Sequence, residues 1–174
     1  RMMNNSIVKH WVNEGSVVIA NEIKISACIL TRNEPDLIKD TILHIYQYVN
    51  EIIINDGSDD DSTKNILREI IAFTDSQLHK IKIYSNPGET IDFAKERNFM
   101  QHKATGDYCL HIDTDERFNE DFLNDIRSLI QTYLDKNIIP MMFRFTRKNI
   151  ELDIIKDPDY QVRLLNRIYT KWER

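Results

Sequence analysis

The sequence predicts an α/β domain with a mostly parallel β-sheet covered by helices on both faces. Short β-favouring apolar runs alternate with amphipathic stretches whose apolar residues recur every three or four positions. Each apolar run ends in a polar or acidic loop just before a helix begins, the punctuation of strand–helix crossover units. The 174 residues, 41% apolar and 29% charged, match one ordinary folded domain that buries a sizeable core without disulfide staples. In such sheets ligands bind outside the carboxyl ends of the strands, so the loops that follow the strands are where chemistry is expected.

The elements follow in order. Residues 1–22 form an N-terminal extension, with NNSIVKHWVN expected as a short helix and SVVIA as an extra strand, ahead of a domain over 23–174. KISACIL is the first main strand, ending in TRNE, and Pro35 then stands where a first helical residue is welcome. Ile38, Ile42, Ile45 and Val49 give the helix PDLIKDTILHIYQYV one buried stripe. EIII is the second strand, and it breaks into the acidic loop NDGSDDDS. A helix carrying Ile66, Leu67, Ile70, Ile71 and Leu78 follows, with Asp61 or Ser62 as its N-cap. IKIYS is the third strand. NPGET leads from it into a helix from about Ile91 to Ala104, which Gly106 is expected to end in a left-handed conformation. DYCLHI is the fourth strand, running out into Asp113, Asp115 and Glu116. A long helix with Phe122, Leu123, Ile126, Ile130, Tyr133 and Leu134 comes next, and IIPMMFRF and YQVRLLNR are further strands.

Composition removes several classes of function. Only 4 glycines and 4 prolines argue against collagen-like and low-complexity chains. The 23 basic and 28 acidic residues give a net charge of −5, the wrong field for a nucleic-acid backbone. The longest apolar runs, Val17–Ala20, Ala27–Leu30 and Ile70–Phe73, fall far short of the roughly 20 residues that span a bilayer. No signal-peptide pattern opens the chain, so no membrane crossing is expected. Cys28 and Cys109 lie inside strand-like runs and read as buried thiols, which suits a reducing, cytoplasmic setting. Neither C-x-x-C nor H-E-x-x-H occurs, so a metal would have to be held by carboxylates.

Asp113 and Asp115 stand two apart where a strand runs out, so in extended backbone they share one side and can hold a hard cation such as Mg2+ or Mn2+. Such an ion completes its shell with water and substrate phosphates, which points to a phosphorylated ligand. The alternative is a solvated acidic turn that caps the next helix. Arg97 is the best phosphate partner, with Arg32 and Lys95 behind it. Walker A and G-x-G-x-x-G loops are absent, which excludes nucleotide binding of those kinds. Asp56 is able to accept from a nucleobase N–H, and Gly57 permits a tight turn beside it; alone, the pair reads as an Asx turn.

ISACILTRNE at 25–34, EIIINDGSDDDST at 51–63, DFAKERN at 92–98 with ATGDY at 104–108, and LHIDTDE at 110–116 occur in that order. Together they resemble the family 2 glycosyltransferases of the GT-A, Rossmann-like fold, over residues 25 to about 135. The RNE, DFAxxRN and DTDE variants are similar to the bacterial branch that glycosylates lipopolysaccharide cores or peptides. The resemblance implies that Thr31 and Asp56 meet the base of a nucleoside diphosphate sugar, with Asp56 accepting from the base N3–H. Arg32, Asn33 and Gly57 then belong to the same donor loops, Glu34 lies beside the ribose, and Arg97 lies near the diphosphate. Asp113 and Asp115 match the metal-binding D-x-D, Asp115 as direct ligand and Asp113 shared between metal and ribose.

The chemistry so implied is inverting displacement at the anomeric carbon by an acceptor hydroxyl, with UDP the family's common leaving group and Mg2+ or Mn2+ neutralising it. A carboxylate acts as general base, for which Glu116, Asp157 and Asp159 are the candidates. Trp172 and Tyr160 are candidates to stack on an acceptor sugar, and Arg163 and Arg167 to reach phosphate or flank a strand. QVRLLNRIYTKWER is similar to the family segment that precedes a VHE-type acceptor motif, so an incomplete acceptor side is expected. The implied partners are a nucleotide sugar and a glycan, lipid-linked glycan or peptide acceptor, in the cytoplasm or at the inner face of its membrane. A non-catalytic nucleotide-sugar-binding module is the alternative. A nucleotidyltransferase fits less well, because TRNEPD is not the Gly-rich basic loop it would need.

Overall fold

Alternation along the central strands sorts their side chains onto two faces, and the two faces differ in kind. The computed structural model describes residues 2–4, 12–13, 22–85, 92–148, 150–151, 154–155 and 159–173. Its main strands are β1 (Ile25–Thr31), β2 (Glu51–Asp56), β3 (Ile81–Ser85), β4 (Tyr108–Asp113), β5 (Met142–Lys148) and β6 (Asp159–Asn166), in the order β3-β2-β1-β4-β6-β5. The pairs β3–β2, β2–β1 and β1–β4 are parallel, whereas β6 runs antiparallel to both β4 and β5.

The helices are α1 (Pro35–Ile45), α2 (Asp61–Thr74), α3 (Phe93–Lys103) and α4 (Glu120–Leu134). Ile25, Ala27 and Ile29 of β1, with Ile52, Ile54, Leu110 and Ile112, pack into one large core with the apolar stripes of α1, α2 and α4. The alternate residues Cys28, Ile53 and Cys109 pack against Met100 of α3 in a smaller cluster, with both thiols buried and free. Both faces are therefore covered, as expected. The α3 face has few apolar side chains, so polar groups fill the rest of it. Arg127 of α4 fastens the large core: its guanidinium donates to the carbonyls of Ile23 and Tyr48 and to Asn50 Oδ1 at 2.8–3.0 Å. Among the described residues no helix is long and apolar enough to cross a membrane.

Several local expectations are corrected. The N-cap of α2 is Asp60, whose carboxylate accepts from Ser62 N at 3.1 Å, and Leu78 lies beyond the helix and is exposed. Gly106 does not end α3 in a left-handed turn: Ala104 caps the helix in extended backbone, and no described glycine has positive φ. Gly106 is instead a point of close approach to β1. A Cβ there would lie 2.5 Å from Ser26 Oγ and 2.9 Å from Lys24 O, while its own N–H donates to Ser26 Oγ at 2.9 Å.

The ends of the expected helix NNSIVKHWVN are strand. Met2–Asn4 pairs antiparallel with β5, where the open sheet edge offers unpaired backbone partners, and Val12–Asn13 pairs with Ile139–Pro140 in a separate two-stranded sheet. Residues 5–11, SVVIA and NPGET lie outside the described residues. Of the first 22 residues, Met2–Asn4 is thus joined to the main sheet.

After β1 the chain winds through β2 to β3, then crosses back to lay β4 on the other side of β1. That reversal opens a crevice at the carboxyl ends of β1 and β4, where Leu30 is paired with Asp113 and Thr31 with Asp56 of β2.

Candidate functional site

Three loops meet at this crevice. After β1 the chain turns at Asn33, which takes the left-handed conformation (φ 54°) that Asn tolerates better than most residues. Its N–H donates to Ser58 Oγ at 2.8 Å and its Oδ1 accepts from Asp59 N at 3.0 Å, while Arg32 pairs with Asp59 at 2.8 Å. The loop after β1 is thereby stitched to the loop after β2. Gly57 N donates to Thr31 O, and Asp56 Oδ1 accepts from Ser58 N, each at 2.9 Å. Asp56 is 1% exposed and turned into its own loop, so a base reaches it only if residues 57–60 open. Thr31 is 2% exposed and its hydroxyl oxygen has no hydrogen-bond partner among the described residues. Glu34 crosses to the third loop, where it accepts from Thr114 Oγ1, between the two aspartates.

The third loop holds the charged centre. Arg97 of α3 donates to Asp113 Oδ1 at 3.0 Å, and Arg163 of β6 donates to Asp113 Oδ2 at 2.7 Å. Arg163 also grips Glu116 in a bidentate pair at 2.8 and 2.9 Å, with its side chain 3% exposed and that of Glu116 0% exposed. The two arginines differ in what remains to them. Arg163 is enclosed and committed to two carboxylates. Arg97 is 15% exposed and, among the described residues, hydrogen bonds to Asp113 alone. A guanidinium carries five N–H donors, so Arg97 keeps donors for a ligand.

Beneath this pair lies His111 of β4, 1% exposed. Burial pushes its pKa down to about 3, and the positive charges of Arg97 and Arg163 add to the effect, so the ring stays neutral. Its Nε2 accepts the indole N–H of Trp172 at 3.3 Å, which puts the ring proton on Nδ1, where it has no partner among the described residues. Trp172 in turn lies against Arg97, with the guanidinium carbon 4.6 Å from the ring centroid. Asn55 and Glu96 complete the α3 side of the crevice, joined at 2.6 Å in a buried contact.

The expected site residues thus fall into groups. Thr31, Arg32, Asn33, Glu34, Asp56 and Gly57 share one stitched rim, and Arg97 and Asp113 are in contact across it. Asp115 is exposed two residues further on. Lys95 is exposed, and among the described residues nothing ties it to the cluster. Arg167 donates to Gly106 O at the opposite end of β4, so it flanks a strand and is not a phosphate ligand.

Glu116 was expected as a rim base, but with both oxygens on one guanidinium and no exposure it serves to hold Arg163. Trp172 stacks on Arg97 and so does not present that face to an acceptor, whereas Tyr160 is 55% exposed on β6. Asp157 lies outside the described residues, and Asp159 is the first residue of β6. The buried role of Arg163 had a visible signal: an arginine inside the apolar run VRLL of a strand needs a buried counter-charge.

Among the described residues no group of three or more His, Cys, Asp or Glu side chains is placed to cage a metal. The donor set does fit Mg2+ or Mn2+, which take one or two carboxylates and fill the remaining positions with water and phosphate. Asp115 suits direct ligation. Asp113 is held by two guanidinium groups.

Residues 26–170 match the model of the family described as glycosyl transferase family 2. Over 110 residues the chain is 26% identical to an uncharacterized glycosyltransferase of Rickettsia felis, an overlap of 63% of this chain and 35% of the relative. The chain therefore spans about a third of the length of that curated relative. Among solved structures, the mannosyltransferase PcManGT of Pyrobaculum calidifontis, in complex with GDP-Man and Mn2+, gives a TM-score of 0.48 at 21% identity, covering 55% of this chain and 28% of that one. S. aureus TarS 1–349 gives 0.47 at 21% identity, covering 64% and 33%.

Proposed function

The chain belongs to glycosyl transferase family 2, and from that premise we propose that it carries the donor half of a metal-dependent, inverting glycosyltransferase. The donor is a nucleoside diphosphate sugar, with UDP favoured, and the sugar passes to the hydroxyl of a glycan, lipid-linked glycan or peptide. The observation that supports this is Arg97: a half-buried guanidinium with donors to spare, at the crevice between β1 and β4 and in contact with the first aspartate of D-x-D. A charged, planar donor group in a partly dry crevice is suited to a diphosphate.

Each residue has a stated task in this account. Arg97 binds the diphosphate and holds its charge as the sugar departs. Thr31 and Asp56 meet the base once residues 57–60 open, with Asp56 accepting from the base N3–H. Glu34, fixed by Thr114, lies beside the ribose. Asp115 holds Mg2+ or Mn2+, with Asp113 joining it. The ion, when bound, supplies charge neutralisation of the leaving diphosphate. The commitment of Glu116 to Arg163 leaves Asp157 and Asp159 as carboxylates to test for taking the acceptor proton.

Thermal unfolding with UDP, GDP, dTDP or CDP, each with Mn2+ or EDTA, tests this assignment. A nucleotide at 100 times its Kd adds about 2.7 kcal/mol, a rise of roughly 5–10 °C for a domain of this size. That rise is expected for one nucleotide, and its loss with EDTA and in Asp115→Asn. No rise with any nucleotide would refute it. A rise without sugar transfer to any acceptor would favour a non-catalytic nucleotide-sugar-binding module.

A further inference from the structure

Resting on the assignment of Arg97 to the diphosphate, we propose that Trp172 is a positioning residue of the donor site, fixing the plane in which Arg97 offers its N–H groups. A face contact with an indole consumes no N–H donor, so Trp172 orients the guanidinium without taking what a ligand needs. Asp113 holds Arg97 at one edge only, and Phe93, 5.9 Å away and 56% exposed, is too distant and open to fix it.

Trp172 itself is held from two elements. Its N–H donates to Asn98 Oδ1 at 2.8 Å and its carbonyl accepts from Asn98 Nδ2 at 2.9 Å, so the residue after Arg97 grips the tryptophan backbone in both directions. Its indole N–H donates to His111 Nε2 on β4. One turn along α3, Gln101 donates to the carbonyls of Arg167 and Thr170 at 3.1 and 2.6 Å. The segment after β6 is therefore latched along α3 by side-chain amides three residues apart, and the latch ends where Arg97 begins. Ordering an arginine before the ligand arrives removes an entropic cost from binding.

The test is calorimetric titration in Mn2+ with UDP and GDP, and with uridine and guanosine as probes that lack phosphate. Trp172→Leu is expected to weaken the diphosphate that binds the unaltered protein about 3- to 30-fold, the range of a partly desolvated cation–π contact. The matching nucleoside should bind unchanged, and Trp172→Phe should restore most of the loss. The chain has 2 tryptophans, so in a Trp11→Phe background Trp172 reports alone. Its emission is expected to change with the diphosphate and stay constant with the nucleoside. Equal weakening of both probes, or a silent Trp172, overturns the proposal; if Trp172→Leu fails to fold, the Phe variant and the emission decide. Arg97→Met separates the two levels. If it leaves diphosphate affinity intact, the diphosphate role of Arg97 falls. If it weakens affinity while Trp172→Leu does not, only the positioning role falls.

Discussion

Replacing Arg163 by Met should destabilise the domain by about 3–5 kcal/mol, because it strands a carboxylate that has no access to water. Glu116 is 0% exposed and both its oxygens receive the Arg163 guanidinium, whose side chain is 3% exposed. The Met side chain keeps much of the volume and removes the charge, so the loss reports the carboxylates of Glu116 and Asp113 left without the Arg163 guanidinium and not a cavity. The double variant Arg163→Met/Glu116→Gln removes both charges, while the amide oxygen can still accept from Asp113 N, now at 3.3 Å from Glu116 Oε2. It should recover about half or more of the loss, a coupling of about 2–3 kcal/mol. Urea unfolding at pH 7 of the unaltered protein, Arg163→Met, Glu116→Gln and the double variant completes the cycle, and an unchanged m-value would show that stability has altered and not the surface exposed on unfolding. A loss below about 1 kcal/mol for Arg163→Met, or losses that simply add in the double variant, would refute the claim that Glu116 depends on Arg163.

Other expectations are local. Burial acts to raise the pKa of Glu51, but hydrogen bonds from Lys82, Ser26 and Thr105 outweigh it and hold the carboxyl at about 2 against an ordinary 4.5. A depressed folded pKa means stability present in full above pH 4.5 and lost as pH falls towards 2. The amount is about 2 kcal/mol once solvent screening at Lys82 (41% exposed) is allowed for, and Glu51→Gln should flatten that acid limb in urea melts between pH 2 and 7. Gly106→Ala should cost about 2 kcal/mol, since its new Cβ meets the Lys24 carbonyl and Ser26 N at 2.9 Å and backbone cannot yield as a side chain can; an unchanged melting temperature would contradict this. Asp60→Ala should cost about 1 kcal/mol by removing the α2 cap, whereas Asp61→Ala should cost less, a difference that chemical denaturation can read.

The sequence made the strands and helices legible where hydrophobic period and turn chemistry agreed. KISACIL, EIII, IKIYS and DYCLHI all became parallel strands, and the loops after them converge as the topology requires. What stayed hidden depends on distant parts of the chain. Gly106 reads locally as a helix terminator, and only the passage of β1 beside it makes it a close approach. Glu116 reads as one more acid of an exposed turn until β6 brings Arg163 back from 47 residues away. Trp172 lies 61 residues from His111, and no local period foretells that it covers Arg97. The edges of the sheet, where Met2–Asn4 joins β5, are set by available backbone partners, which leave little mark in composition.

A crystal structure with the nucleoside diphosphate that stabilises the protein, grown with Mn2+, tests the donor site most directly. The predicted result is the diphosphate on the Arg97 guanidinium at the crevice between β1 and β4, the ion held by Asp115, and Arg163 still on Glu116. A nucleotide seated elsewhere, or a diphosphate at the crevice that Arg97 does not touch, would contradict it.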